Sequence, residues 1–101
     1  MNWKDRIYLD VVESEVARLK ELSDDEVSGL PEFASYEREE RGMRVDFGIW
    51  HRAYLGEPQV FVVQAKRGIF WIYGHMFVDG FMLDLNSERL PLSDEIYWQY
   101  A

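Results

Sequence analysis

Phe70-Trp71-Ile72-Tyr73-Gly74-His75-Met76-Phe77-Val78 carries apolar or aromatic side chains on both faces of an extended segment. The chain around it has only one strong amphipathic helix with which to cover a sheet. A soluble protein seldom leaves a large apolar face in water, so the second face of that strand calls for a partner, a ligand or a terminal segment of the same chain.

Turn signals on either side extend this strand into a meander. Arg67-Gly68 precedes it, and Asp79-Gly80 follows with the residue pair that most favours a two-residue hairpin. Taken as a hairpin, Asp79-Gly80 sets Val78 opposite Phe81, Met76 opposite Leu83, Gly74 opposite Leu85, Phe77 opposite Met82 and His75 opposite Asp84. Carrying the register through Arg67-Gly68 pairs Ala65 with Phe70 and Val63 with Ile72. Upstream, Met43–Leu55 alternates cleanly, with Met43, Val45, Phe47, Ile49, His51, Ala53 and Leu55 on one side and Arg44, Asp46, Gly48, Trp50, Arg52 and Tyr54 on the other. Gln59–Ala65 is apolar on both faces, as a central strand is. Residues 32–41 fit helix or strand, and the Arg41-Gly42 step favours a hairpin that faces Glu39 to Arg44, Tyr36 to Phe47 and Glu37 to Asp46.

Residues 3–22 place Tyr8, Leu9, Val12, Val16 and Leu19 at helical spacing. Ser23 and Glu26 make a capping box for a short turn that Gly29 and Pro31 stop. Ser93-Asp94-Glu95 opens a short C-terminal helix carrying Ile96, Tyr97 and Trp98. The expected fold is α+β in two layers: the N-terminal helix on a four- or five-stranded antiparallel meander, with the C-terminal helix at an edge or on the second face. With 101 residues, a single domain is expected.

Composition narrows function by exclusion. The chain has no cysteine, which rules out thiolate catalysis, Cys-ligated metals and disulfides. Its formal net charge is −8, and residues 1–42 hold 12 acidic against 6 basic side chains. That balance disfavours nucleic acid and anionic membrane. The N-terminal residues lack an apolar signal core and no apolar run approaches the ~20 residues of a spanning helix, so a cytoplasmic location is expected. Neither Gly-x-Gly-x-x-Gly, Gly-x-Ser-x-Gly nor a metal-ligand spacing of histidines occurs, so no cofactor, metal or catalytic motif is expected and a non-enzyme is favoured.

The residues left for function are those of the second face: Trp50, Arg52, Tyr54, Trp71, Tyr73, His75, Phe77, Met82 and Asp84, with Phe33 beside Trp50. Four large aromatics at ~150–250 Å² apiece offer about 600–1,000 Å², above the ~300–600 Å² usual for a monomer's largest patch. An eight-residue helix of roughly 12 Å cannot cover five strands about 19 Å across, so the C-terminal segment leaves part of this face open. Three uses of the face or the charge are expected in order. The first is a homodimeric interaction module, because interface cores favour Trp, Tyr, Phe, Met and Arg. The second is a ligand pocket or enzyme site over the same face, using His75, Asp84, Arg52 and the tryptophans, with Asp84 orienting His75. The third is an acidic inhibitor, antitoxin or immunity-type protein that meets a basic partner with the carboxylates of residues 10–40.

Overall fold

The computed structural model describes residues 2–70 and 73–101, and the side chains of these except Ile69, Phe70 and Tyr73. Its elements run α1 (Trp3–Glu21), α2 (Asp24–Ser28), β1 (Phe33–Glu40), β2 (Met43–Arg52), β3 (Gln59–Phe70), β4 (Tyr73–Leu83), β5 (Arg89–Pro91) and α3 (Asp94–Tyr100). The strands form one antiparallel meander in the order β1-β2-β3-β4-β5. The architecture is α+β, with α1 across one face of the sheet and α3 against the other.

Helix starts follow their capping chemistry. Asn2 Oδ1 accepts from the amides of Lys4 and Asp5 at 2.9 and 3.0 Å, satisfying two of the unpaired donors of α1. Ser23 and Glu26 close the expected capping box of α2. Although α2 is one turn long, it sinks Val27 completely into the core.

The stripe that α1 presents is Ile7, Val11, Val12, Val16 and Leu19, which packs on Val45, Phe47, Ile49, Phe61, Val63, Ala65, Phe81 and Leu83. Burying each such aliphatic side chain contributes about 1.5–3 kcal/mol, so this seam is the main source of stability. Tyr8 lies on the margin of the stripe and Leu9 is only half-buried, whereas Ile7 and Val11, outside the expected set, are fully buried.

The Arg41-Gly42 hairpin matches its expected register. Arg41 and Gly42 take φ of 50° and 78°, the two left-handed residues of a type I′ turn, and Glu39, Tyr36 and Glu37 face Arg44, Phe47 and Asp46. The like-charged Glu37/Asp46 pair is resolved by Arg44, whose Nη2 reaches Glu37 at 2.8 Å and whose Nε reaches Asp46 at 3.2 Å.

The other two turns are corrected. Arg67-Gly68 and Asp79-Gly80 both lie inside strands, and β4 runs on without a break to Leu83. Ala65 therefore pairs with Phe77 and Val63 with Asp79, while Arg67 pairs with His75 and Phe61 with Phe81. Losing a two-residue loop reverses the faces of residues 74–78 relative to Phe81–Leu83, since side chains alternate strictly along a strand. Phe77 thus joins the α1 side, stacked on Tyr8 at 5.7 Å, and Val78 joins the α3 side.

Gly80 accounts for the difference. Its φ is not in the left-handed region, so the residue is not there to make a turn. A Cβ on it would strike the carbonyl of Phe61, and its N–H is taken at 2.8 Å by the Asp79 carboxylate. The glycine is required by close backbone approach. The strand read over Met43–Leu55 also stops early: Ala53–Leu55 are outside β2, and Leu55 and Leu85 are exposed rather than in the core.

Candidate functional site

α3 starts at Ser93, whose Oγ accepts the Ile96 amide at 3.3 Å. It lays Ile96, Tyr97 and Tyr100, with Leu92, over Val60, Val62, Val78 and Met82. Gln64 fastens the far end by donating from Nε2 to the Tyr100 carbonyl at 2.5 Å and accepting the Trp50 indole N–H at 3.1 Å. The C-terminal segment is therefore the cover for the centre of the second face. The face stays open beyond it, toward β1 and the end of the sheet that carries Gly48 and Met76.

Three large apolar side chains remain on that open part, with Phe33 46%, Met76 39% and Trp50 36% exposed. Phe33 and Trp50 are cross-strand partners with ring centroids 4.4 Å apart. Gly48 lies beside the Phe33 ring, which a Cβ there would strike, so the missing side chain makes room for that ring. A shallow trough runs from Gly48 past Gln64 and Lys66 to Met76.

A second depression lies at the corner where the end of β2 meets α3. It is a cleft of about 280 Å³ lined by Glu32, Phe33, Trp50, Arg52, Tyr54 and Tyr100, among others. Arg52 donates from Nη1 to Gln99 Oε1 at 2.9 Å, and its guanidinium lies 5.4 Å from the Tyr54 ring centroid. Its Nε is buried without an acceptor.

The expected site residues divide accordingly. Trp50, Arg52 and Tyr54 come together around the cleft. Met82 is packed under α3. Trp71 and the Tyr73 side chain lie outside the described residues. The His75–Asp84 pair does not form: His75 pairs with Arg67 and stacks on Phe77 at 6.5 Å, while Asp84 accepts the amides of Asn86 and Glu88 at 2.8 and 2.9 Å and so shapes the loop into β5. Asp84 therefore does not orient His75. Glu32 and Tyr100 are cleft residues that sequence reasoning missed. Both lie outside the alternating strand pattern that was used to find the face.

His51 faces the core as expected and is satisfied there. Nδ1 donates to the Leu30 carbonyl at 2.8 Å, Nε2 lies 2.8 Å from the Gln59 side-chain amide, and the ring stacks on Phe61 at 4.5 Å. Among the described residues no group of three or more His, Asp or Glu side chains is placed to hold a metal ion, and no helix is long and apolar enough to cross a membrane.

Part of the acidity is used internally. Asp5 pairs with Arg67, Asp10 with Arg6 and Arg41, Glu15 with Arg18 and Arg38, and Asp24 with Arg89. That leaves fewer free carboxylates on residues 10–40 than their number suggests for meeting a basic partner. Comparison with known proteins adds no family: no family model matches the chain, and no curated protein or solved structure matches it.

Proposed function

We propose that this protein is a small interaction module that pairs with a second copy of itself through the open part of the second face. The observation that carries this reading is the strip Phe33–Trp50–Met76, left uncovered by α3 and bordering β1, whose outer edge has no neighbouring strand among the described residues. Exposed apolar surface beside an open strand edge is a favourable dimerisation surface. An antiparallel β1–β1′ contact is self-complementary and closes with two-fold symmetry. Glu37, Glu39 and Glu40 guard the far end of the strand, so the contact centres on its Phe33–Tyr36 half. Because α3 takes the middle of the face, the apolar contact is smaller than the sequence implied and relies on edge pairing.

Sedimentation velocity at micromolar concentration tests this. The expected mass is twice the 12.1 kDa of one chain. Phe33→Glu and Met76→Glu alter exposed positions and should give monomers with an unchanged far-ultraviolet circular dichroism spectrum. A wild-type chain that sediments as a strict monomer across this range overturns the reading.

A further inference from the structure

The chain has eight arginines, and seven of them, Arg6, Arg18, Arg38, Arg41, Arg44, Arg67 and Arg89, lie within salt-bridge distance of a carboxylate. Among the described residues Arg52 is the one that does not. In a chain with 19 acidic side chains, a guanidinium without a carboxylate is the exception. Arg52 is also the arginine that lines the aromatic cleft, half-buried, held by Gln99 on one side and lying against Tyr54 on the other.

We propose that this cleft is a binding site for a small monocarboxylate, with the carboxylate on the Arg52 guanidinium and the apolar body of the ligand against Trp50, Phe33 and Tyr100. Three features select this chemistry. A guanidinium presents a planar fork of donors that matches a carboxylate, which its terminal nitrogens can meet while Nε stays buried. The aromatic walls suit an apolar body, and the guanidinium is held by Gln99 and lies over the Tyr54 ring, 5.4 Å from its centroid. Glu32, also lining the cleft, adds a negative charge that penalises a phosphate dianion more than a single carboxylate. The cleft is just below the ≈ 300–1,000 Å³ of sites for drug-sized molecules, which limits the ligand to a small acid or to the terminal carboxylate of a chain.

The test is a nuclear magnetic resonance titration of the ¹⁵N-labelled full chain with sodium phenylacetate, reading the Trp50 indole N–H and the Arg52 Nε–H. Saturable shifts of both signals are expected, with no comparable shift from phenylacetamide. Arg52→Gln should weaken binding roughly tenfold or more. Glu32→Gln should tighten it about twofold to fivefold, a gain that misfolding cannot produce. An acetylated tripeptide ending in a phenylalanine carboxylate separates the two sources of the group: tighter binding than phenylacetate assigns the site to a chain terminus, and equal or weaker binding assigns it to a free acid. Equal shifts with the amide, equal affinity for inorganic phosphate, an unaffected Arg52→Gln variant, or no saturation overturns the proposal. Sedimentation of the same samples keeps this result apart from the dimer: a monomer that binds phenylacetate removes the dimer and leaves the carboxylate site standing.

Discussion

Gly80 has no room for a side chain, because a Cβ would run into the backbone of Phe61 on the neighbouring strand. Backbone cannot yield as a flexible side chain does, so Gly80→Ala should destabilise the protein by about 1–3 kcal/mol in urea unfolding, the usual cost of overpacking. Gly42 makes the opposite demand. Nothing lies within 4 Å of a Cβ there, but φ is +78°, so Gly42→Ala should cost about 1 kcal/mol through conformation alone and Gly42→Asn less. Asp24 carries a pH signature. The Ser87 hydroxyl beside it and the Arg89 guanidinium, donating at 2.6 Å, hold its carboxyl below the usual 3.8. A carboxyl lowered in the folded state binds its proton more readily in the unfolded one, so its contribution is full at neutral pH and is lost as the pH falls through the folded-state value. The stability difference between wild type and Asp24→Asn, followed by denaturant unfolding from about pH 6 to about pH 2, should shrink toward the acid end. A difference that stays constant across that span would show that Asp24 acts through helix geometry alone.

At the scale of elements, the two hairpin signals show what local sequence can and cannot report. Arg41-Gly42 behaves as a turn because both residues take left-handed φ and the strands on either side pair with matched side chains. Asp79-Gly80 is as strong a dipeptide signal, yet its glycine is there for close approach, a reason that lies on another strand and cannot be read within a few residues. The consequence is large: a turn placed at Asp79-Gly80 puts Phe77 and His75 on the α3 side and sets His75 opposite Asp84, whereas the continuous strand puts both on the α1 side. Trp50 and Arg52 were legible because β2 alternates cleanly, with no turn between them to misplace. The C-terminal helix is also legible, from Ser93 and the acidic first turn, and the second face is one of its two expected places; that Val78 belongs to its seat is not legible, because the misplaced turn puts Val78 on the other face. That seat makes a prediction. A chain ending at Leu92 should uncover those three valines, bind the hydrophobic dye ANS, and associate more strongly than wild type in sedimentation experiments. Ser93→Ala, which removes only the cap, should cost about 1 kcal/mol and leave dye binding low.

For the molecule as a whole, the apolar seam between α1 and the sheet is bordered by ion pairs that join the two layers. Arg67 of β3 donates to Asp5 at 2.5 Å, Arg38 of β1 reaches Glu15 and the Ser14 hydroxyl, Arg41 reaches Asp10, and Arg89 of β5 ties α2 through Asp24 and the Leu22 carbonyl. Arg41–Asp10 and Arg89–Asp24 are exposed enough to add little each, while Arg67–Asp5 is more enclosed. Glu15 differs, because its side chain is only 6% exposed while it accepts from both Arg18 and Arg38. A carboxylate so placed depends on its partners: removing Arg38 leaves it with the half-exposed Arg18 alone, whereas removing both charges leaves an ordinary apolar contact. Arg38→Met should therefore destabilise the fold by about 1–3 kcal/mol, with Glu15→Met costing less. The double substitution should cost less than the sum of the two, a coupling of about 1 kcal/mol or more in a double-mutant cycle. Strict additivity would mean that Arg18 alone satisfies Glu15, and that the apolar seam by itself holds β1 to the helix layer. β1 also carries the edge proposed to pair with a second copy, so the cycle measures how firmly that edge is held in place before any partner arrives.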